Sequence, residues 1–234
     1  MAYEKRLDGR KFDELRLMEA KIGVVERAAG SAMFKIGKTI AIAAVYGPKE
    51  LYPGFLQNPT RGVLRCNYNM MAFSGSGDRV RPGPSRRSKE ISMVTEKALI
   101  SALDLSQYAS TVVDVFVQLL QTDAGTRCAG ITAAAMALAD AGIPMKGLVS
   151  SVAVGRVGGK IVLDLSKEEE DYEGHATDIA TAMITSTGEV TLLQMDGPVT
   201  KEELKKALEL AKKGNEKIRE VQVKALKERY AGSK

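Results

Sequence analysis

The stretch that most constrains the fold runs from Thr111 to Gly142. Its first part, "TVVDVFVQLLQ", is β-branched and almost continuously apolar, the pattern of a strand covered on both faces. Its second part, "TRCAGITAAAMALADAG", is a run of small residues, which suits a helix lying close against a sheet. The join is "TDAG", so a buried strand passes through a glycine turn straight into a closely packed helix. Both segments need a core large enough to enclose them. The 234 residues, 44% of them hydrophobic, supply one.

Other elements fall around this pair. Residues 31–46 read as two strands about Gly37-Lys38, a hairpin signal, and residues 47–62 as a Pro/Gly-rich loop. In the strand "GVLRCNYNMMAF", Leu64, Cys66, Tyr68 and Met70 share one face, while Arg65, Asn67 and Asn69 share the other with Arg61. Residues 74–85 form a glycine-rich loop with no G-K-[ST] or G-x-G-x-x-G signature. A helix follows, with Ser85 as N-cap. Four strands come after the small-residue helix, within "GLVSSVAVGRV", "KIVLDLS", "DIATAMITS" and "EVTLLQMD". A long amphipathic helix opens on a Thr200/Glu203 capping box and closes the chain. This order predicts one mixed α/β domain over 1–234, helices packed on sheet, and excludes a doubly wound nucleotide fold.

Charge and cysteine usage exclude several classes. The net charge is only +5, so any role with nucleic acid must rest on clustering. Cys66 and Cys128 lie far apart, giving neither a zinc pattern nor a disulfide framework. The N-terminus has no apolar leader, and no run is long enough to span a membrane, so a cytoplasmic protein is expected. His175, the one histidine, lies in an acidic stretch without a nucleophile motif and reads as a loop residue.

Three constellations can carry chemistry. The turn Gly125-Thr126-Arg127 opens a helix, where free backbone N–H groups, a hydroxyl and a guanidinium together suit an anion. Taken alone, a glycine turn before a helix whose small face packs on the sheet is the better account. The basic set contains Arg61, Arg65, Arg79, Arg81, Arg86, Arg87 and Lys89. Arg86 and Arg87 stand in a helix's first turn, which the macrodipole disfavours unless an anion is present. They and Arg65 point to function; Arg79 and Arg81 read as a solvated loop. The third set is acidic, "DLSKEEEDYEGHATDIA", in which Asp178 begins a strand and Glu168 to Glu170 read as a solvated loop. A fixed carboxylate beside a phosphate site can act as general acid or hold Mg²⁺. Anion donors, arginine clamps and one placed acid are the parts of phosphoryl transfer.

The ordered motifs "RLDGRKFDELR", "RGVLRCNYNM", "GPSRRSKE", "QTDAGTRCAGITAAAMALADAGIPM" and "EEDYEGHATDIA" resemble the ribonuclease PH family, and within it most of all the catalytic subunits of archaeal exosomes. The resemblance spans nearly the whole chain. It implies the two-layer α/β ribonuclease PH fold with a mixed sheet. It also implies 3′→5′ phosphorolysis, in which inorganic phosphate releases nucleoside diphosphates from RNA and the reverse reaction adds tails. The implied partners are single-stranded RNA, an inactive paralogue completing a ring as a trimer of heterodimers, and RNA-binding cap proteins. Mg²⁺ or Mn²⁺ is the implied metal.

Residue by residue, the resemblance makes Gly125, Thr126 and Arg127 the phosphate site, and Asp178 the catalytic aspartate, as acid or metal ligand. Asp171 becomes its acidic companion, although the Asp171–Asp178 spacing is one residue longer than the common pattern. Arg86 and Arg87 would hold the RNA backbone, Arg65 with Arg61 would line a channel, and Leu51 to Thr60 would form its constriction. Asp123 has no role in the pattern beyond a contact with Arg127. The competing readings are a non-catalytic RNA-binding ring subunit, a bacterial-type ribonuclease PH trimming tRNA 3′ ends, and a metal-dependent hydrolytic nuclease.

Overall fold

The computed structural model of the chain describes residues 3–77, 79–172 and 176–231. His175 and Glu173 of the acidic stretch, and Asp78 of the glycine-rich loop, lie outside the described residues.

Five strands form the first sheet: β1 (Met18–Ile22), β2 (Gly30–Ile36), β3 (Thr39–Glu50), β4 (Val63–Met70) and β5 (Thr111–Gln121), in the order β1-β2-β3-β5-β4. Neighbours are antiparallel except β4 and β5, which run parallel and are joined through helix α1 (Arg86–Ile100). The sheet is therefore mixed. Four more strands, β6 (Val149–Val157), β7 (Lys160–Leu163), β8 (Thr177–Ile184) and β9 (Glu189–Asp196), form an antiparallel second sheet in the order β7-β6-β8-β9. Helix α2 (Thr126–Asp140), the single turn α3 (Lys167–Glu170) and α4 (Lys201–Ala231) complete the fold.

The three long helices lie between the sheets. Helix α1 touches β4 and β9, α2 touches β2, β3 and β5 on one side with β6 and β8 on the other, and α4 touches β1 with β6, β7 and β8. One hydrophobic cluster runs through all layers, from Phe34, Val115 and Leu119 through Ile131 and Leu138 to Val154, Ile179 and Ile218. The small residues of α2 are explained by this enclosure, with Cys128 to Leu138 buried throughout. Gly130 shows how tight it is: a Cβ there would stand 3.1 Å from Val117 Cγ1 and 3.4 Å from the Tyr68 ring.

The expected caps are present. Ser85 Oγ accepts from Ser88 N at 3.0 Å, and Thr200 Oγ1 accepts from Glu203 N at 3.2 Å, each answered by the reciprocal bond. Two expectations need correction, and one strand was not expected. Residues 18–22 form an edge strand in which Glu19 and Lys21 are exposed between half-buried neighbours, so it carries little apolar signal. Strand β3 continues through a bulge after Tyr46 to Glu50, so the loop expected from residue 47 begins at Leu51. Residues 168–170 are not a solvated loop. Ser166 and Glu169 form a capping box, which coils the segment into α3 and turns Glu169 fully inward. No helix among the described residues is long and apolar enough to cross a membrane.

Candidate active site

Strand β5 delivers the chain to Gly125, which takes up a left-handed backbone conformation (φ +68°) and starts α2 without a side-chain cap. An uncapped helix start leaves its first amides for a ligand or for water. Thr126 is buried at this point and Arg127 half-buried. Nearby, the Ser85 cap begins α1, so that Arg86 and Arg87 project, exposed, from its first turn.

A cleft of about 410 Å³ joins these elements. Its wall includes Tyr68 of β4, Arg87 of α1, Thr126 of α2, and Lys167 and Glu170 of α3. Asp178 stands beside it as the second residue of β8, paired in register with Gly155 of β6 and Asp196 of β9. Burial pushes the Asp178 carboxyl above its ordinary range and the Asp196 charge pushes the same way, while Arg127 and Arg87 pull it down. Arg87, Arg127 and Asp178 thus act on one another although they come from α1, α2 and β8. Asp178 Oδ1 is buried with no hydrogen-bond partner.

The second carboxyl of the site is Glu170. Burial raises it first, the Asp178 charge raises it further, and Lys167 partly offsets both. Asp171, the companion implied by the resemblance, is turned outward and bonded to Lys167 Nζ at 2.7 Å. The signal that could have exposed Glu170 is the S-x-x-E capping box at Ser166, because one helical turn sends adjacent residues to different faces.

The other assigned residues divide. Arg87 lines the cleft and Arg86 does not. Arg81, read above as a loop residue, is on the wall. Arg65 is half-exposed and forks the buried Asp114 across the β4–β5 pair, so its charge already has a partner. Arg61 is exposed just before β4. Asp123 does not touch Arg127: its Oδ2 accepts from Arg16 Nη1 at 3.0 Å. Tyr68 was placed on the core face by strand parity, and its ring is there, but its hydroxyl reaches into the site. Burial raises that phenol, and Thr126, Arg87 and Arg127 lower it.

The donors present fit a hard divalent cation in one limited way. Asp178 and Glu170 offer two carboxylates, one with a free buried oxygen, and Mg²⁺ commonly takes one or two carboxylates and completes its shell with water and substrate phosphate. No cluster of three or more His, Cys, Asp or Glu side chains suited to a metal occurs among the described residues.

The chain is similar to several known proteins. Residues 14–144 match domain 1, and residues 147–214 domain 2, of the 3′ exoribonuclease family, RNase PH. The exosome complex component Rrp41 of Pyrococcus furiosus is 53% identical over 226 residues, 97% of this chain and 89% of that one. The component of the same name from Methanopyrus kandleri is 52% identical over 97% of this chain and 94% of its own. Among solved structures, rice (Oryza sativa) Rrp46 superposes with a TM-score of 0.84 at 25% identity, covering 95% of this chain and all of that one. A chain of the Archaeoglobus fulgidus exosome with RNA bound to the active site gives 0.77 at 28% identity, over 93% and 92%. The two family domains therefore follow one another along the chain, one across the first sheet and the other across the second, and the chain belongs to the ribonuclease PH family of 3′ exoribonucleases.

Proposed function

We propose that this chain is the catalytic subunit of an exosome core and shortens RNA from its 3′ end by phosphorolysis. The observation that carries the reading is the convergence of Arg87, Arg127 and Asp178 beside the uncapped start of α2. A non-catalytic ring subunit would need none of this set.

In this reading the α2 amides, Thr126 and Arg127 hold inorganic phosphate. Arg87, with Arg86, holds the backbone of the terminal nucleotides. A phosphate oxygen forms a bond to the phosphorus of the last phosphodiester while the bond from that phosphorus to the preceding 3′-oxygen breaks. The terminal nucleotide leaves as a nucleoside diphosphate. The new 3′-oxygen takes a proton from Asp178, whose raised pKa lets the carboxyl retain one. In the alternative in which Asp178 is ionised, it and Glu170 would hold Mg²⁺ or Mn²⁺, which would supply charge neutralisation for the crowded phosphates.

Single-stranded RNA and other exosome subunits are the partners. The finer arrangement belongs to the same proposal, a ring alternating with an inactive paralogue under RNA-binding caps in the cytoplasm; within it, the exposed Tyr52 and Phe55 favour a contact role for the Leu51 to Thr60 segment. Both are 85% exposed, as a channel constriction or subunit contact requires. Arg61 lies two residues before β4 and Arg65 is the third residue of that strand, and both would face the same RNA.

The test is incubation of the chain with its ring partner, single-stranded RNA and phosphate. Nucleoside diphosphates in amounts that rise with phosphate are expected. Nucleoside monophosphates, or cleavage indifferent to phosphate, would replace this reading with a hydrolytic nuclease.

A further inference from the structure

Helix α2 begins at a left-handed glycine with no side-chain cap, so the direction of its first amides must be fixed from outside the helix. Two side chains do this. Thr39 Oγ1 donates to Ala124 O at 2.9 Å and accepts from Asp123 N at 3.2 Å. Arg16, buried, donates through Nη2 to Ala124 O at 3.2 Å and through Nη1 to Asp123 Oδ2 at 3.0 Å.

The other edge of the same guanidinium grips Asp164. Nε meets Oδ2 at 3.0 Å and Nη2 meets Oδ1 at 2.7 Å, while the Arg16 backbone N–H donates to Oδ2 at 2.8 Å. Asp164 is buried, sits at φ +54°, and directly follows β7 at the corner leading to α3 and Glu170. Its carbonyl is held in turn by Arg6 Nη2 at 2.8 Å and Arg10 Nη2 at 3.0 Å. Arg16 therefore ties together the two connections that enter the site, the Asp123–Gly125 turn and the β7–α3 corner.

The guanidinium lies close to the cradle without being free to serve in it. A Cβ on Gly125 would stand 3.5 Å from Arg16 Nη2. Four of its five N–H donors are already engaged by Asp164, Asp123 and Ala124. Such a group orients the backbone that binds the ligand and leaves the ligand to others.

Resting on the reading of Gly125–Arg127 as the phosphate site, we propose that Arg16 is a positioning residue: by bridging Asp164 to Asp123 and Ala124 it sets the angle at which the α2 amides and Arg127 meet the attacking phosphate. A lysine cannot hold this bridge, because it lacks the planar fork.

The experiment uses the chain assembled with its ring partner and varies phosphate at saturating RNA, then RNA at saturating phosphate. Asp123→Asn is the decisive variant, since it is conservative and part-exposed and turns one charge-assisted contact of the bridge into a weaker neutral hydrogen bond. Asp123→Asn is expected to raise the phosphate KM several-fold and Arg16→Lys roughly ten- to a hundredfold, while the RNA KM stays within about twofold. A merely structural role would lower the melting temperature and the active fraction without this split. An unchanged phosphate KM in Asp123→Asn, or an equal rise in both KM values, overturns the inference. A wild-type enzyme indifferent to phosphate overturns the functional reading and this inference together; a phosphate-dependent wild type with an unaltered Asp123→Asn variant overturns this inference alone.

Discussion

Arg65 and Asp114 stand directly across from one another on the parallel strands β4 and β5, joined by Nε–Oδ1 at 2.6 Å and Nη2–Oδ2 at 2.9 Å. Lys49 Nζ reaches the same carboxylate at 2.8 Å. Asp114 already engages this guanidinium, so its charge is only partly available to an RNA phosphate. Arg65→Ala is expected to reduce the salt dependence of RNA binding by less than the slope of about 0.7 that a free single-strand phosphate contact gives. Filter binding across a salt series measures it; a full slope change would mean that RNA displaces Asp114. Stability should fall by about 1 kcal/mol, because Lys49 keeps the buried carboxylate paired.

Asp178→Asn separates chemistry from binding. Turnover is expected to fall by roughly 10²-fold or more while RNA affinity is retained. The carboxyl has to hold its proton to donate it, so wild-type turnover should decline as pH rises through the raised Asp178 value, and the variant should lack that limb. The fold penalises the ionised Asp178, so the asparagine variant should also melt at a higher temperature. A pH–rate profile and a thermal melt of one preparation test both. Lost RNA binding, or a lower melting temperature, would make Asp178 structural.

The pair Arg6–Glu169 governs acid stability. Both side chains are wholly buried, with Arg6 Nη2 to Glu169 Oε2 at 2.7 Å and Tyr3 Oη donating to Oε1 at 2.6 Å. Burial alone would raise the Glu169 carboxyl, but the Arg6 and Tyr3 hydrogen bonds outweigh it and hold it below its ordinary value. A carboxyl depressed in the fold stabilises above its unfolded pKa, and this contribution disappears as pH falls through the folded value. Denaturant titrations should therefore show stability falling from about pH 4.3 downward, with less of that fall in Glu169→Gln. Arg6→Met, which leaves the carboxylate unpaired, is expected to cost about 3–5 kcal/mol at neutral pH.

Gly125→Ala tests the helix start. At φ +68° a Cβ is strained, and this one would also meet Arg16 Nη2 at 3.5 Å and Ala153 Cβ at 3.9 Å. Loss of about 1–2 kcal/mol of stability is expected, together with weaker phosphate binding by calorimetry. Unchanged phosphate affinity would show that the turn tolerates a different backbone angle.

Much of the fold was legible because it rests on periodicity. The β-branched run at 111–121, the parity of Leu64, Cys66 and Tyr68, and the caps at Ser85 and Thr200 each state a local preference that the tertiary structure keeps. Strand β1 was not legible, since an edge strand with alternate exposed charges resembles a loop. The gathering of Arg87, Arg127 and Asp178 was legible only through the ordered motifs, because no local rule brings three distant elements together. Glu170 and Arg16 were missed for related reasons. A charge run such as "KEEED" reads as solvated until the turn that buries part of it is known. An N-terminal arginine gives no sign that its partners lie 107 and 148 residues away.

Helix α2 has the proposed phosphate turn at one end and core on every side. Its amides should be among the last in the molecule to exchange with solvent, released only when the whole chain opens. The catalytic cradle is then mounted on the most slowly yielding part of the protein, not on a loop that can melt by itself. Heating should abolish activity and helical signal at one temperature, and partly unfolded forms should carry no residual turnover. Activity in this chain becomes a report on global integrity.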